Sequence, residues 1–501
     1  MGLRAIGTER IFSVAAILGG LLAMPAFADE ARGTYPPATI KVMTFNIWYG
    51  GEQVSRAQVV EAIKEAGADI VGMQEADGNE RAIADALGWP YVDERRMVLS
   101  RYPIFSPQDI KTPYTLVQVQ PGRVVAIANV HLPATPYGPE EVRDGKSHDE
   151  VMKLEEDTRL PAVQDAIKAL PPLAANGVPV FLTGDFNSPS YLDWTEAVLK
   201  VRPEIKFALS WPASKAVADA GLRDSYREAH ADPATVKGFT WTAGYPNPRI
   251  KPGETFDRID FVWTAGPSKT LDSQVVGEKG GPDVGVGLQP WPSDHRAVVS
   301  TFDVTPLAAG PLVTTDRRVL RSGDPLLVRF NLPDDDKGMV VVVKHGAAAD
   351  KTPVLSKAPG DASDRPSMKF GTRLLRPGAY DVVLVDGSGK EAARSAFWLL
   401  AQEAVPEISL KQGKLKHGTA IQAQWRNAPG LKYDWVAVYK SGESDPENYV
   451  GYVYTDATVE GSKAIDKDAL GSDLDPGKYE LRLMKDDCYE TLAAASFEVV
   501  P

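Results

Sequence analysis

Val180-Phe181-Leu182-Thr183-Gly184-Asp185-Phe186-Asn187 opens with a short apolar run, Val180–Leu182, and closes on a carboxylate and an amide. It reads as a strand delivering polar groups at its end. The same pattern recurs on both sides. Strand-like runs lie at Ile40–Phe45, Ile70–Met73, Met97–Leu99, Val124–Val130, Ile259–Trp263 and Ala297–Phe302. Stretches with helical spacing fall between some of them, as at Ser55–Glu65 and Glu150–Leu170. Within the first, Gln58, Val59, Ala62, Ile63 and Ala66 include the i, i+3, i+4 spacing of an amphipathic helix. Alternating strands and helices predict an α/β fold with layers packed around one core over residues 39–304.

The texture changes near Thr305. Helical periodicity stops, and short strands bounded by Gly, Pro and Asp follow. This region repeats itself. Met339-Val340-Val341-Val342-Val343-Lys344 parallels Trp435-Val436-Ala437-Val438-Tyr439-Lys440. Leu375-Arg376-Pro377-Gly378-Ala379-Tyr380 parallels Leu474-Asp475-Pro476-Gly477-Lys478-Tyr479. Each Pro-Gly is a turn signal, because Pro presets φ and Gly accepts φ > 0. Two small all-β, sandwich-like domains are expected, at 307–401 and 402–501.

With 501 residues, the chain is too long for one ordinary core. Its net charge is −12, and no run of Lys and Arg exceeds two. A protein that lives by tight duplex binding usually shows a basic face, so nucleic acid is not the favoured partner. The one cysteine, Cys488, excludes an intrachain disulfide and a Cys-based zinc site. At the N-terminus, Arg4 and Arg10 precede the apolar run Ile11–Met24, followed by Ala26-Phe27-Ala28. Residues 1–28 read as a secretory signal peptide, cleaved before Asp29. The expected location is extracytoplasmic, periplasmic or secreted, with no transmembrane segment after cleavage.

Six short motifs place polar groups at or near strand ends: Thr44-Phe45-Asn46, Gln74-Glu75, Asn129-Val130-His131, Gly184-Asp185-Phe186-Asn187, Asp257-Arg258-Ile259-Asp260-Phe261 and Ser293-Asp294-His295. These residue types suit phosphoester hydrolysis. Carboxylate and amide oxygens hold Mg²⁺, which neutralises charge on a phosphate and positions water. Histidines bond phosphate oxygens or move protons near neutral pH. Each residue also has a bland reading. Asn46 and Asn187 suit turns, Asp185 a helix cap, Glu75 a solvated loop and His131 the core.

Taken in order, the six motifs resemble the endonuclease/exonuclease/phosphatase superfamily, and Leu99-Ser100-Arg101-Tyr102-Pro103-Ile104 resembles a further family strand. That superfamily includes deoxyribonucleases, abasic-site endonucleases, sphingomyelinases and inositol-polyphosphate phosphatases. The resemblance implies a four-layer α/β sandwich. It implies Glu75, Asn46 and Asp294 as metal ligands, for Mg²⁺ with Mn²⁺ or Ca²⁺ as alternatives. It implies Asp185 and Asn187 around the attacking water, His131 and His295 on the phosphate, and Asp260 orienting His295. Trp48 departs from those family nucleases that carry an acidic or amide residue there. Asp257 is expected to be structural, paired with Arg258 or a neighbour. His148, His230, His345 and His417 are expected at the surface, and Pro139–Asp157 as a solvated loop entering a helix. Trp291, three residues before Asp294, is a candidate for stacking on substrate.

The motifs specify a reaction, not a leaving group. The favoured expectation is an exported hydrolase of a small or lipid-linked phosphoester, with peripheral contact to a lipid substrate. An exported nuclease is the alternative. A non-enzymatic binding protein built on the tandem β domains is the third reading. The stretch Tyr433–Tyr439 resembles a strand of β-sandwich modules found beside some phosphoinositide phosphatases.

Overall fold

The computed structural model describes residues 36–107, 109, 111–241, 255–332, 338–349, 353–358, 367–486 and 488–501. The signal-peptide expectation lies outside them.

The first part contains, in chain order, β1 (Ala38–Asn46), α1 (Arg56–Ala66), β2 (Ile70–Gln74), α2 (Glu80–Leu87), β3 (Tyr91–Asp93), β4 (Val98–Ser100), β5 (Ile104–Phe105), β6 (Tyr114–Gln120) and β7 (Arg123–His131). Then come α3 (Gly138–Arg143), α4 (His148–Ala175), β8 (Val180–Asp185), α5 (Pro212–Asp219), β9 (Arg223–Asp224), α6 (Ser225–Ala229), β10 (Asp260–Ala265), β11 (Ser268–Glu278), β12 (Val284–Leu288) and β13 (Ala297–Val304). One sheet has the order β12-β11-β13-β1-β2-β4-β3, and the other β5-β6-β7-β8-β10-β9.

The layering follows from side-chain parity, because successive residues of a strand face opposite sides. Ile40 and Val42 of β1, Ile70 of β2, Ile127 of β7, Phe181 of β8 and Val262 of β10 share the core between the two sheets. Met43, Phe45, Val71 and Met73 face the other way, onto α1 residues such as Val59 and Ile63. Ala126, Leu182, Phe261 and Trp263 face α4 and α5 through Val163, Leu170 and Val217. The result is helix, sheet, sheet, helix, the four-layer α/β sandwich expected.

The helices follow their sequence signals. α1 stops at Gly67, whose φ of 63° suits a left-handed cap. α4 opens on a capping box between Ser147 and Glu150, so the acidic Pro139–Asp157 stretch is mostly helix, α3 and the start of α4, joined by a short turn.

Beyond β13 the described residues are mostly strands, with one short helix at Lys467–Leu470. Leu312–Thr315, Pro325–Asn331 and Ser367–Gly371 form a three-stranded sheet, and Glu407–Leu410, Ile421–Arg426 and Gly461–Ile465 form its counterpart. Each packs on a five-stranded sheet, and both five-stranded sheets have the same order. The repeat extends to side chains. Tyr380 stacks on Phe397 at 5.5 Å, and Tyr479 on Phe497 at 5.6 Å. Each tyrosine hydroxyl donates to the carbonyl four residues upstream, Arg376 or Asp475. Each copy encloses its own apolar core.

These β modules are fastened to the α/β part. Arg81 donates to the Asp316 carbonyl at 2.9 Å, and Arg329 lies 4.2 Å over the Tyr91 ring. Arg318 ties the two modules together through the Ala457 carbonyl at 2.8 Å. Among the described residues no helix is long and apolar enough to cross a membrane.

Candidate active site

Parity also builds the site. Asn46, Gln74, Asn129, His131, Asp185 and Asp260 continue the faces of β1, β2, β7, β8 and β10 that line the space between the sheets. β1 runs parallel to β2, with Asn46 beside Gln74. β7 runs parallel to β8, with His131 beside Asp185, and Asp185 is also opposite Asp260. Two parallel strand pairs, one per sheet, therefore end at the same edge of the sandwich. There the apolar inter-sheet core gives way to polar side chains.

A buried network sets the floor. Gln74 Nε2 donates to Asn129 Oδ1 at 2.6 Å, and Thr183 Oγ1 donates to the same oxygen at 3.0 Å. Asn129 Nδ2 donates to the Met73 carbonyl at 2.7 Å. The two bonds that join Asn129 to Gln74 and Met73 cross from one sheet to the other, and the Thr183 bond braces Asn129 within its own sheet. Gly72 makes room for them: a Cβ there would stand 2.5 Å from Asn129 Oδ1.

Above the floor, Asp185 is the hub, its side chain 1% exposed. Its Oδ1 accepts the Asn187 backbone N–H at 2.8 Å. Its Oδ2 accepts Asn46 Nδ2 at 3.0 Å and lies 3.5 Å from His131 Nε2 and 3.7 Å from His295 Nε2. Asn187 Nδ2 donates to the Leu132 carbonyl at 3.0 Å. Glu75 Oε1 accepts Asn46 Nδ2 at 2.9 Å, and Oε2 accepts the Tyr49 N–H at 3.2 Å. His131 Nε2 is 4.0 Å from Glu75 Oε1. Backbone strain collects here: Glu75 has φ 53° and Asn187 φ 46°, the left-handed region that non-glycine residues seldom occupy.

His295 Nδ1 is 3.0 Å from Asp260 Oδ2, and the ring is nearly enclosed. Burial alone would lower the imidazole pKa. The carboxylates of Asp260, Asp185 and Asp294 outweigh that, so the ring stands well above its ordinary value and is protonated at neutral pH. Asp294 is pushed up to about 6, first by burial and then by Glu75 and Asp185, with His295 opposing.

The donor chemistry fits a hard divalent cation, since four carboxylates converge and the imidazolium of His295 offsets only part of their charge. One atom each from Asp185, Asp260 and His295 lie within 4.8 Å of one another and could hold an ion. There, however, Asp260 and His295 already hold a proton between them. That favours the Glu75 and Asp294 side.

Two expectations are corrected. Asn46 presents its NH₂, not its oxygen, to Glu75 and Asp185, because Oδ1 accepts the Trp48 N–H at 3.1 Å. It spaces two carboxylates. Trp291 is fully buried, stacks on Phe45 at 5.2 Å and donates from Nε1 to the His295 carbonyl at 2.6 Å. It supports the loop from within the core and cannot stack on substrate.

Asp257 is indeed structural, but its partner is Arg202 at 3.1 Å, with Trp194 Nε1 at 2.8 Å. Arg258 instead binds Asp193 at 3.0 Å and Asp224 at 2.7 Å, wholly buried. Removing one partner of such a buried cluster costs about 3–5 kcal/mol. His148, His345 and His417 are exposed, while His230 is half-buried and its Nε2 meets the Ser273 carbonyl. Sequence reading missed Trp241, whose ring lies 4.7 Å from that of His295, and Tyr49, 56% exposed beside Glu75. The Trp48-Tyr49 pair was the available signal for an aromatic mouth.

The Endonuclease/Exonuclease/phosphatase family model matches residues 43–295. An uncharacterized Caenorhabditis elegans protein is 29% identical over 290 residues, covering 52% of this chain and 91% of its own. An endonuclease/exonuclease/phosphatase structure from Beutenbergia cavernae is 17% identical, with TM-score 0.34, covering 72% of this chain and 100% of its own. The 3′ phosphatase NExo from Neisseria, bound to a product DNA hairpin, is 20% identical, with TM-score 0.36, covering 53% of this chain and 99% of its own. The stretch matched by the family model contains all the motif residues gathered at this edge of the sandwich, and the chain belongs to the endonuclease/exonuclease/phosphatase family, whose named activities all cleave phosphoester bonds.

Proposed function

We propose that the protein is an exported, divalent-metal-dependent hydrolase that directs water onto a small or lipid-linked phosphoester. The observation that carries this reading is the convergence of Glu75, His131, Asp185 and His295 on one strand-end cleft. Glu75 and Asp294 would hold Mg²⁺, with Asn46 beside them. Bound there, the ion supplies charge neutralisation for the phosphoryl oxygens.

The protein's own groups do the rest. Asp185 is held by the Asn187 N–H, and its second oxygen faces the cleft. It orients the attacking water and accepts its proton. Protonated His295, anchored by Asp260, presents Nε2 to a phosphoryl oxygen and stabilises the charge that develops. His131, 27% exposed and 3.5 Å from Asp185 Oδ2, contacts the phosphoryl group from the mouth.

Export is motivated by Arg4, Arg10, the apolar run Ile11–Met24 and the Ala26-Phe27-Ala28 site. A small or lipid-linked substrate is motivated by charge. The chain carries −12, and Tyr49 at the mouth is surrounded by Glu75, Glu447, Asp294 and Asp77. A polyanion laid across that rim meets like charge.

The test uses protein beginning at Asp29, with Mg²⁺ or EDTA, and a panel of sugar and inositol phosphates, phospholipids, sphingomyelin, DNA and RNA. Products are identified by mass spectrometry beside an Asp185→Ala control. Metal-dependent cleavage of a non-nucleic-acid substrate, lost in the variant, supports the reading. Cleavage confined to DNA or RNA replaces it with the nuclease alternative.

A further inference from the structure

The two β modules share a sheet order but differ on one face. Parity divides the central strand of each copy. Val340 and Val342 in the first, and Val436 and Val438 in the second, enter the module's own core. On the opposite face the first copy is aliphatic, with Val341, Val343 and Val383. The second places Trp435 and Tyr439 there, beside Tyr454 on the edge strand Gly451–Tyr454. The first copy builds the same sheet from aliphatic residues, so the fold does not require aromatic ones in the second.

The rings of the second copy form one connected surface. Trp435 is buried, and Tyr449, Tyr452 and Tyr489 pack against it with centroids 5.4, 5.5 and 6.1 Å away. Those three tyrosines are 37%, 38% and 40% exposed. Tyr452 also meets Tyr449 at 5.4 Å and Tyr454 at 5.5 Å, and Tyr454 meets Tyr433 at 5.7 Å. Tyr433 in turn packs against the core beneath α1 and α2. The line of rings therefore starts at the α/β part, beside the loop that leaves Glu75, where a Cβ on Gly78 would stand 3.1 Å from Leu431 Cδ1. Burial and then Glu75 raise the pKa of Tyr49 at the cleft's mouth, and Glu447, two residues before Tyr449, adds to them.

The ring geometry selects a ligand. Trp435 and its tyrosine neighbours cross at 76–84°, so their faces point in different directions. A planar base stacks on one flat face, whereas a rounded cation takes several faces at once. Each face is negative, through the ring quadrupole. Lys432 and Arg482 already lie over Tyr433 and Tyr439, at 4.7 and 4.1 Å. The loop before Tyr449 adds Glu443, Asp445 and Glu447, held in series: Glu443 Oε1 accepts the Asp445 N–H at 2.8 Å, and Asp445 Oδ1 the Glu447 N–H at 3.0 Å. Three nearby cations are paired, Arg482 with Glu480 at 2.8 Å, Lys485 with Glu490 at 3.3 Å and Lys463 with Asp456 at 2.9 Å. An aromatic, negative surface attracts a weakly hydrated cation and repels a polyanion.

We infer that this tyrosine face docks the second β module onto a membrane of choline lipids, its rings receiving the quaternary ammonium of the headgroups. Tyrosine suits that depth, because its ring is apolar and its hydroxyl stays wet. Docking there holds the cleft's mouth near the bilayer. It does not depend on which phosphoester is cleaved.

The experiment is vesicle co-sedimentation of the chain from Asp29 onward, in EDTA so that metal-dependent cleavage is silent. The vesicles are phosphatidylcholine, phosphatidylcholine half replaced by phosphatidylethanolamine, and phosphatidylglycerol. Partition is expected to be strongest on the first, weaker on the second and weakest on the third. Tyr449→Ala combined with Tyr452→Ala should lower partition onto phosphatidylcholine roughly 5–30-fold. Tyr449→Phe combined with Tyr452→Phe should keep it, since the ring and not the hydroxyl receives the cation. Thermal unfolding checks that each variant is folded. The inference is overturned if the unmutated protein does not partition onto phosphatidylcholine, if it partitions as well onto either other vesicle, or if the folded double alanine variant binds undiminished. Docking by a protein that cleaves no lipid in Mg²⁺ leaves this inference standing and removes only the lipid-linked substrate.

Discussion

His295 and Asp260 face each other at 3.0 Å, Nδ1 to Oδ2, both buried, one from the loop before β13 and the other from the first position of β10. Asp260 is the strongest of the carboxylates that keep the ring protonated against the pull of burial. It also fixes the ring so that Nε2 points at Asp185, 3.7 Å away.

Asp260→Asn keeps the shape and removes the charge. The expected outcome is a fall in kcat of about 10²–10⁴-fold, with KM changed far less. Steady-state kinetics on the cleaved substrate checks it. A drop confined to KM would place Asp260 outside the chemistry.

Glu75→Gln should act on the metal. Half-saturating Mg²⁺ is expected to rise by about 10–100-fold or more, with part of the rate recovered at high Mg²⁺. EDTA should abolish activity in the unmutated protein, and excess Mg²⁺ should restore it. A metal titration of rate against free Mg²⁺ reads both.

Glu155 on α4 sits fully buried beside Arg159, 3.2 Å away. Burial raises its pKa to about 7, outweighing Arg159, which pulls the other way. The folded pKa is above the unfolded value of 4.5, so the folded state holds the proton longer. Stability is therefore greatest below the unfolded pKa and is lost as pH rises through about 7. The loss from this group is about 3 kcal/mol. Urea unfolding at several pH values checks the slope, and Glu155→Gln should flatten it.

Trp291→Phe should leave KM unchanged, because no substrate reaches that ring. It should cost stability, since a buried indole N–H bond to the His295 carbonyl is lost and volume is removed. The expected loss is about 1–3 kcal/mol, read by chemical denaturation. A raised KM at unchanged stability would restore the stacking role.

The site was legible because it follows strand parity and order. Val180-Phe181-Leu182 set the inward phase of β8, and Asp185 keeps the phase of Phe181. What sequence could not supply was orientation after a strand ends. Trp291 lies in a loop whose direction is set by stacking on Phe45, far away in the chain. The Asn46 amide is turned by Trp48, whose φ is 59°, a conformation no local pattern announces. β6 was missed because Tyr114–Gln120 mixes apolar and polar residues yet is largely buried. The Asp257 partner was misjudged because Arg258, one residue on, faces the opposite side and is claimed by Asp193 and Asp224.

The parity that gathers Asn46, His131, Asp185 and Asp260 also sets what change this protein can absorb. One residue inserted or deleted within β1, β7, β8 or β10 would turn its terminal polar group from the cleft into a helix-covered apolar face. Length variation is tolerable only in the connections between strands, which leave the phase of every strand intact. A lineage built on this frame can therefore diversify its mouth freely while its chemistry stays locked in register.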